Sequence, residues 1–117
     1  LANILFASEL NRRLKESGVN ITANSIHPGV IKTDLGRDGP WYFPAIHAVI
    51  GFVMYKSIPQ GAATQVYVAT SDDVAGKGGL YFNNCNVAEP SAYAKDMQVA
   101  RRLFQVSEER TGTQYPF

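Results

Sequence analysis

An extended run closed by a Pro-Gly pair constrains this chain most. Val19, Ile21, Ala23, Ser25 and His27 alternate with Asn20, Thr22, Asn24 and Ile26, and Pro28-Gly29 follows at once. The β-branched content favours a strand, while polar residues on both faces argue against a simple two-sided apolar one. Pro28 has no N–H to donate, so the ladder ends there. Gly29 permits a sharp turn or a close approach of the backbone to a ligand. A hydroxyl and a carboxylate come next, at Thr33 and Asp34. Before the run, residues 1–17 read as an amphipathic helix, with Leu1, Ile4, Leu5 and Ser8 on one stripe that Phe6, Leu10 and Leu14 extend, and Asn11, Arg12, Arg13, Lys15 and Glu16 toward water. Ser17-Gly18 stops it. A helix, a glycine turn and a strand make half of a βαβ unit, so the strand is expected in a parallel sheet.

Further on, Gly36, Gly39, Pro40 and Pro44 keep the chain in coil. Residues 45–54 are almost wholly apolar, with Trp41, Tyr42, Phe43, Phe52 and Tyr55 around them. Three readings stand: a buried or partner-covered helix, a lid over a lipid-like substrate, or peripheral membrane contact. The run is shorter than the roughly 18 residues of a membrane span. Ser57 and Pro59 predict a helix start, and Ala62, Ala63, Val66, Tyr67 and Ala69 its packing face. Ser71-Asp72-Asp73 closes that helix. Gly76, Gly78 and Gly79 form a turn around Lys77 whose spacing is not that of a phosphate loop. Leu80-Tyr81-Phe82 reads as a short strand at the sheet edge and Asn83–Asn86 as a turn. Pro90-Ser91 opens a last helix, 91–108, docked through Ala92, Ala94, Met97, Ala100, Leu103, Phe104 and Ser107. Such a helix could also meet calmodulin or a membrane surface, although its acidic residues dilute the charge. Residues 111–117 read as a frayed tail.

Composition excludes several classes. The 117 residues carry 11 Lys+Arg against 10 Asp+Glu, a net charge of +1 that makes no case for nucleic acid. Cys85, the single cysteine, rules out an internal disulfide framework and a cysteine-based zinc site. His27, His47 and Asp34 have no metal-ligand spacing, and Ser25 and His27 lack the strand–turn–helix setting of a hydrolase nucleophile. There is no Gly-x-Gly-x-x-Gly and no Tyr-x-x-x-Lys: none of Tyr42, Tyr55, Tyr67, Tyr81, Tyr93 and Tyr115 has a lysine four residues later.

His27-Pro28-Gly29-Val30-Ile31-Lys32-Thr33 resembles the Pro-Gly loop of the short-chain dehydrogenase/reductases. Leu1-Ala2-Asn3 and Ser8 to Leu14 resemble the helix that follows the family's catalytic tyrosine and lysine. Asn86 to Ser91 points to the retinol-dehydrogenase-like branch, plant chloroplast-envelope members included. The resemblance runs over nearly the whole chain but covers only the C-terminal half of the family's domain. It implies an α/β fold, the C-terminal portion of a doubly wound parallel-sheet (Rossmann-like) domain. Residues 1–117 are then a C-terminal fragment of one NAD(P)-binding domain, with a substrate loop at about 36–56. The implied cofactor is NADP or NAD, with Ile31 offering backbone groups and Thr33 its hydroxyl to the nicotinamide carboxamide. Pro28, Gly29 and Val30 shape the wall beside the ring, and Leu35, Trp41 and Phe43 line the substrate pocket. The substrate implied is a small hydrophobic alcohol or carbonyl. The catalytic lysine of the pattern falls immediately before Leu1, so no catalytic residue is expected here and the isolated chain is expected to be inactive. The alternative is a non-catalytic truncated protein or partner-binding scaffold. A homodimer of the parent through the first helix, and a chloroplast or cytoplasmic location, rest on the resemblance alone.

Overall fold

The computed structural model describes residues 1–31 and 55–116. Thr33, Asp34, Leu35, Trp41, Phe43, His47 and the apolar run 45–54 lie outside the described residues.

Helix α1 spans Ala2–Glu16 and ends as its sequence directs: Ser17 donates its N–H to the Arg13 carbonyl, and Gly18 takes the left-handed conformation at φ +69°. It buries Leu5 and Leu14, and also Glu9. The following strand is far shorter than the alternation predicts. Only β1, Ser25–His27, is laddered. The stretch before it spends its backbone groups elsewhere. Ile21 N–H turns back onto the Val19 carbonyl at 2.8 Å, and Ala23 N–H donates to Asn11 Oδ1 at 3.2 Å. Asn24 stitches the chain to the Gly-rich turn, accepting from Leu80 N–H and donating to the Lys77 carbonyl, both at 2.9 Å.

Strands β2 (Tyr81–Asn83) and β3 (Asn86–Val87) complete a sheet of order β1-β2-β3. β1 pairs in parallel with β2, Ser25 opposite Tyr81 and His27 opposite Asn83, as a βαβ half predicts. β2 is therefore a central strand among the described residues, not the edge strand expected from its sequence. The edge is β3, antiparallel to β2 across a two-residue turn. Asn84 and Cys85 both sit at positive φ, +52° and +60°. Two left-handed central residues are the mark of the type I′ turn that suits hairpin twist.

Helix α2, Ile58–Thr70, opens on a capping box between Ser57 and Gln60. Its packing face matches the predicted one only in part: Ala62 and Tyr67 are half-buried, and Tyr67 meets Phe82 edge-on. Gly61 and Thr64 are buried, whereas Ala63, Val66 and Ala69 are exposed. Gly61 seats the Ile31 side chain where any Cβ would stand, so helix and loop meet at van der Waals distance. The C-terminal helix is also broken where continuity was expected. A 3-10 turn, Ala92–Lys95, leads to Asp96, whose carboxylate caps the Gln98 and Val99 N–H groups at 2.9 and 3.2 Å. Helix α3 then runs Met97–Thr111 and stops at left-handed Gly112.

The main packing is α1 on α3. Phe104 and Ala100 of α3 have no exposed surface. Phe104 stacks on Phe6, ring centroids 4.8 Å apart, and Tyr115 from the C-terminal tail closes over it at 4.9 Å. The tail is thus folded back over the core as far as Tyr115, where fraying was expected. Arg12 and Arg13 do not simply face water. Glu9, fully buried, accepts from Arg12 Nε and Nη2 at 2.8 and 2.7 Å and from Arg13 Nε at 3.0 Å. Arg13 also lies 4.1 Å above the Phe104 ring centre and reaches Glu108 of α3. The hydrogen bond from Arg12 holds the Glu9 carboxyl below the usual carboxylate range; burial opposes it and Arg13 assists.

Candidate functional site

Because β1 and β2 run in parallel, their C-terminal ends share one edge of the sheet. That edge is where ligands bind in open α/β folds. Two segments emerge there. β1 continues into Pro28–Ile31, and β2 into the Asn84-Cys85 turn.

Lys56 ties the first segment down. Its N–H donates to the Val30 carbonyl at 2.9 Å, and Ile31 and Lys56 form an isolated parallel bridge. The geometry of a trans peptide then fixes the next group. The Ile31 N–H belongs to the same planar unit as the Val30 carbonyl and points the opposite way, away from Lys56. Ile31 sends its side chain into the notch at Gly61, which keeps the loop from rotating about its own axis. Gly29 lies at φ +85°, a left-handed value that a side chain would resist. A Cβ there would come within 2.8 Å of Lys56 Nζ and 2.9 Å of its Cδ and Cε, so the lysine stem occupies the space beside this glycine.

The β2 side is braced from α2. Thr64 Oγ1, buried, accepts the Cys85 N–H at 3.2 Å. Asn84 Oδ1 receives the Lys56 ammonium. His27 is exposed at the strand end. Among the described residues, no group of three or more His, Cys, Asp or Glu could hold a metal ion. At this edge the Ile31 N–H faces away from Lys56, and a backbone donor so directed can recognise a planar polar group.

Of the residues picked from sequence, Pro28, Gly29, Val30 and Ile31 fall together on this edge, and Thr33, Leu35, Trp41 and Phe43 lie outside the described residues. Lys56, Thr64 and Asn84 were missed. The Asn-rich turn was recognisable as a turn, but its place beside the Pro-Gly loop depends on the pairing of β1 with β2. Lys56 carried no local signal at all.

No protein-family model matches the chain. Individual relatives do. The chain is 47% identical over 107 residues to short-chain dehydrogenase TIC 32 B, chloroplastic, of Brassica napus, covering 92% of this chain and 33% of that protein. To human retinol dehydrogenase 14 it is 40% identical over 114 residues, 96% of this chain and 33% of the relative. These matches lie in the C-terminal part of each relative. The chain is thus similar to the C-terminal part of curated short-chain dehydrogenases over most of its own length. It spans about a third (33%) of the length of these first curated relatives. The WW domain-containing oxidoreductase of Gallus gallus is 45% identical over 109 residues, 92% of this chain and 25% of that one. A crystal structure of an uncharacterized protein from Mycobacterium paratuberculosis aligns with a TM-score of 0.69 at 28% identity, over 99% of this chain and 38% of that chain. That neighbour is Rossmann-like, and the fold here is a partial α/β domain of the same kind. The short-chain dehydrogenase resemblance and the fold class read from sequence therefore hold.

Proposed function

We propose that this chain forms the nicotinamide-orienting and substrate-flanking part of an oxidoreductase that interconverts an alcohol and a carbonyl with NAD or NADP. The single observation that carries the reading is the Ile31 N–H, turned away from Lys56 by the Val30–Lys56 bond beyond the C-terminal ends of two parallel strands. A planar carboxamide fits such a group, because it presents an acceptor oxygen to the N–H. Pro28, Gly29 and Val30 form the wall beside the ring, Ile31 supplies backbone groups, and Thr33 supplies its hydroxyl. Leu35, Trp41 and Phe43 flank a hydrophobic substrate. When bound, the nicotinamide supplies the hydride donor or acceptor. The work of these residues is orientation, which for a two-reactant step is a large part of catalysis. No side chain of this chain is assigned the proton on the substrate oxygen, because the Tyr-x-x-x-Lys pattern is not in its sequence.

The test is binding of NADH and of NADPH, followed by fluorescence, to the longest natural product that contains the chain. Amide shifts are recorded in parallel. Saturable binding that moves the Ile31 amide is the expected result. Saturable binding that leaves it unmoved would overturn the placement, and absence of binding to both dinucleotides the reading itself.

A further inference from the structure

We infer that Lys56 is a positioning residue whose ammonium, bonded to Asn84, pins the Pro-Gly loop to the β2–β3 turn and thereby aims the Ile31 N–H. The inference rests on the reading that this loop orients a nicotinamide.

Three contacts converge on this one lysine. Its N–H holds the Val30 carbonyl, its stem lies across Gly29, and its Nζ donates to Asn84 Oδ1. The backbone bond and the Ile31 notch hold the far end of the loop, and Gly29, its least restricted residue, remains a hinge between that end and β1. The stem and ammonium restrict that hinge by tying the loop to a second point in the β2–β3 turn. That second point is itself rigid. Asn84 occupies the left-handed position of a type I′ turn, and its carbonyl accepts from Asn86 Nδ2 at 2.8 Å. The next residue is held by the buried Thr64 hydroxyl. Thr64 and the Ile31 notch both belong to α2, so loop and turn are referred to the same helix.

A lysine on open surface keeps its rotamers, because fixing a long side chain costs up to about 2 kcal/mol in entropy. Lys56 is half-buried and extended along a glycine to a neutral amide oxygen. The bond is charge-assisted and is made where no side chain at position 29 competes for the space. The consequence is directional. With the hinge closed, the Val30–Ile31 peptide cannot rotate, and orientation errors of even an ångström weigh heavily on a hydride transfer.

The test uses the longest natural product containing the chain. Lys56→Met keeps the stem and removes the donor. Asn84→Gly keeps the positive φ and removes the acceptor. Both single variants and the double variant are compared by hydrogen exchange at the Lys56 amide and by the Kd for NADH and NADPH, with the Ser17 amide of α1 as the internal reference. Each single variant is expected to speed Lys56 amide exchange about tenfold while Ser17 is unchanged, as for loss of one charge-assisted bond with local opening. Each is expected to raise the dinucleotide Kd about fivefold or more, with no further rise in the double variant, because one bond is being removed twice. Lys56→Arg, which retains a donor, is expected to restore most of the affinity. Unchanged exchange in Lys56→Met, additive effects of the two substitutions, or faster exchange with unchanged affinity would each overturn the positioning role. If the unaltered protein binds neither dinucleotide, the nicotinamide reading fails on its own, and the exchange rates alone decide whether the clamp exists.

Discussion

Glu9→Gln is the substitution that most sharply probes how α1 and α3 are held together. The Glu9 side chain has 0% exposure and accepts three hydrogen bonds from two guanidinium groups, at 2.7, 2.8 and 3.0 Å. Glutamine keeps the volume but puts an NH₂ where one oxygen accepted, so donor faces donor. Losing one partner of a fully buried ion pair costs about 3–5 kcal/mol. Here the guanidiniums are not fully buried. Arg12 and Arg13 keep 31% and 21% of their side-chain surface, Arg12 retains Glu16, and Arg13 retains Glu108. Rehydration and these second partners reduce the loss, and the expected cost is about 2–3 kcal/mol, near that of one or two hydrogen bonds to a charged group. Urea unfolding of the longest natural product containing the chain, with and without the substitution, measures it. The pH dependence supplies a second check with a definite sign. The folded-state pKa of Glu9 is depressed by the Arg12 bond. Its contribution is therefore fully present above the unfolded value, about 4.3, and is lost as pH falls through the lower folded one. The gap between the two proteins should be constant near neutrality and close in acid. A cost below about 0.5 kcal/mol, or a gap that persists undiminished when carboxylates are protonated, would refute the argument.

Other expectations follow from the same contacts. Phe104→Ala removes a ring with no exposed surface that stacks on Phe6 and Tyr115 and carries Arg13 on its face. It should cost about 3–5 kcal/mol in urea unfolding, and a loss under 1 kcal/mol would place the core elsewhere. Gly29→Ala adds about 1–2 kcal/mol of left-handed strain. It also displaces the Lys56 stem, so dinucleotide affinity should fall; unchanged affinity in calorimetry would remove Gly29 from the site. Thr64→Val leaves the Cys85 N–H without its acceptor and should cost about 1–3 kcal/mol, with Thr64→Ser recovering most of it in the same unfolding assay. Failure of serine to recover stability would mean that the methyl group, not the hydroxyl, is what α2 needs there.

The parts of the fold legible in the sequence were those written in consecutive residues. Gly18 ends α1, Ser57 and Gln60 start α2, and Asn84-Cys85 turn the chain, because caps and turns are settled by side chains within a few positions of the backbone they serve. The break at Asp96 was written there too, as an N-cap aspartate, but the Ala-rich residues before it have helical composition and masked the stop. In the site, Pro28 and Gly29 announced the loop, since proline cannot donate to a ladder and glycine takes positive φ without strain.

What local pattern could not reveal was every feature that depends on a partner far along the chain. The alternation from Val19 to His27 is real, yet Asn11 and the Gly-rich turn claim its first half, leaving three residues of β1. Leu80-Tyr81-Phe82 reads as an edge strand until β3 folds against its free side. Glu9 and its arginines look like a solvated helix face until Phe104 and Glu108 arrive from about a hundred residues away (Arg13 to Glu108 is 95). Thr64 looks like an ordinary polar residue on a helix until the Cys85 N–H reaches it. The sequence by itself determined the helix–strand half of a βαβ unit and the Pro-Gly loop that ends it, because these follow from periodicity, caps and a short motif; the likeness to short-chain dehydrogenases came from the resemblance of those motifs. Only the tertiary structure decided which way the Ile31 N–H points and what holds it there. A peptide's direction is set by the group its carbonyl bonds to, and here that group is Lys56, 25 residues beyond Ile31 and adjacent to it only in the folded chain.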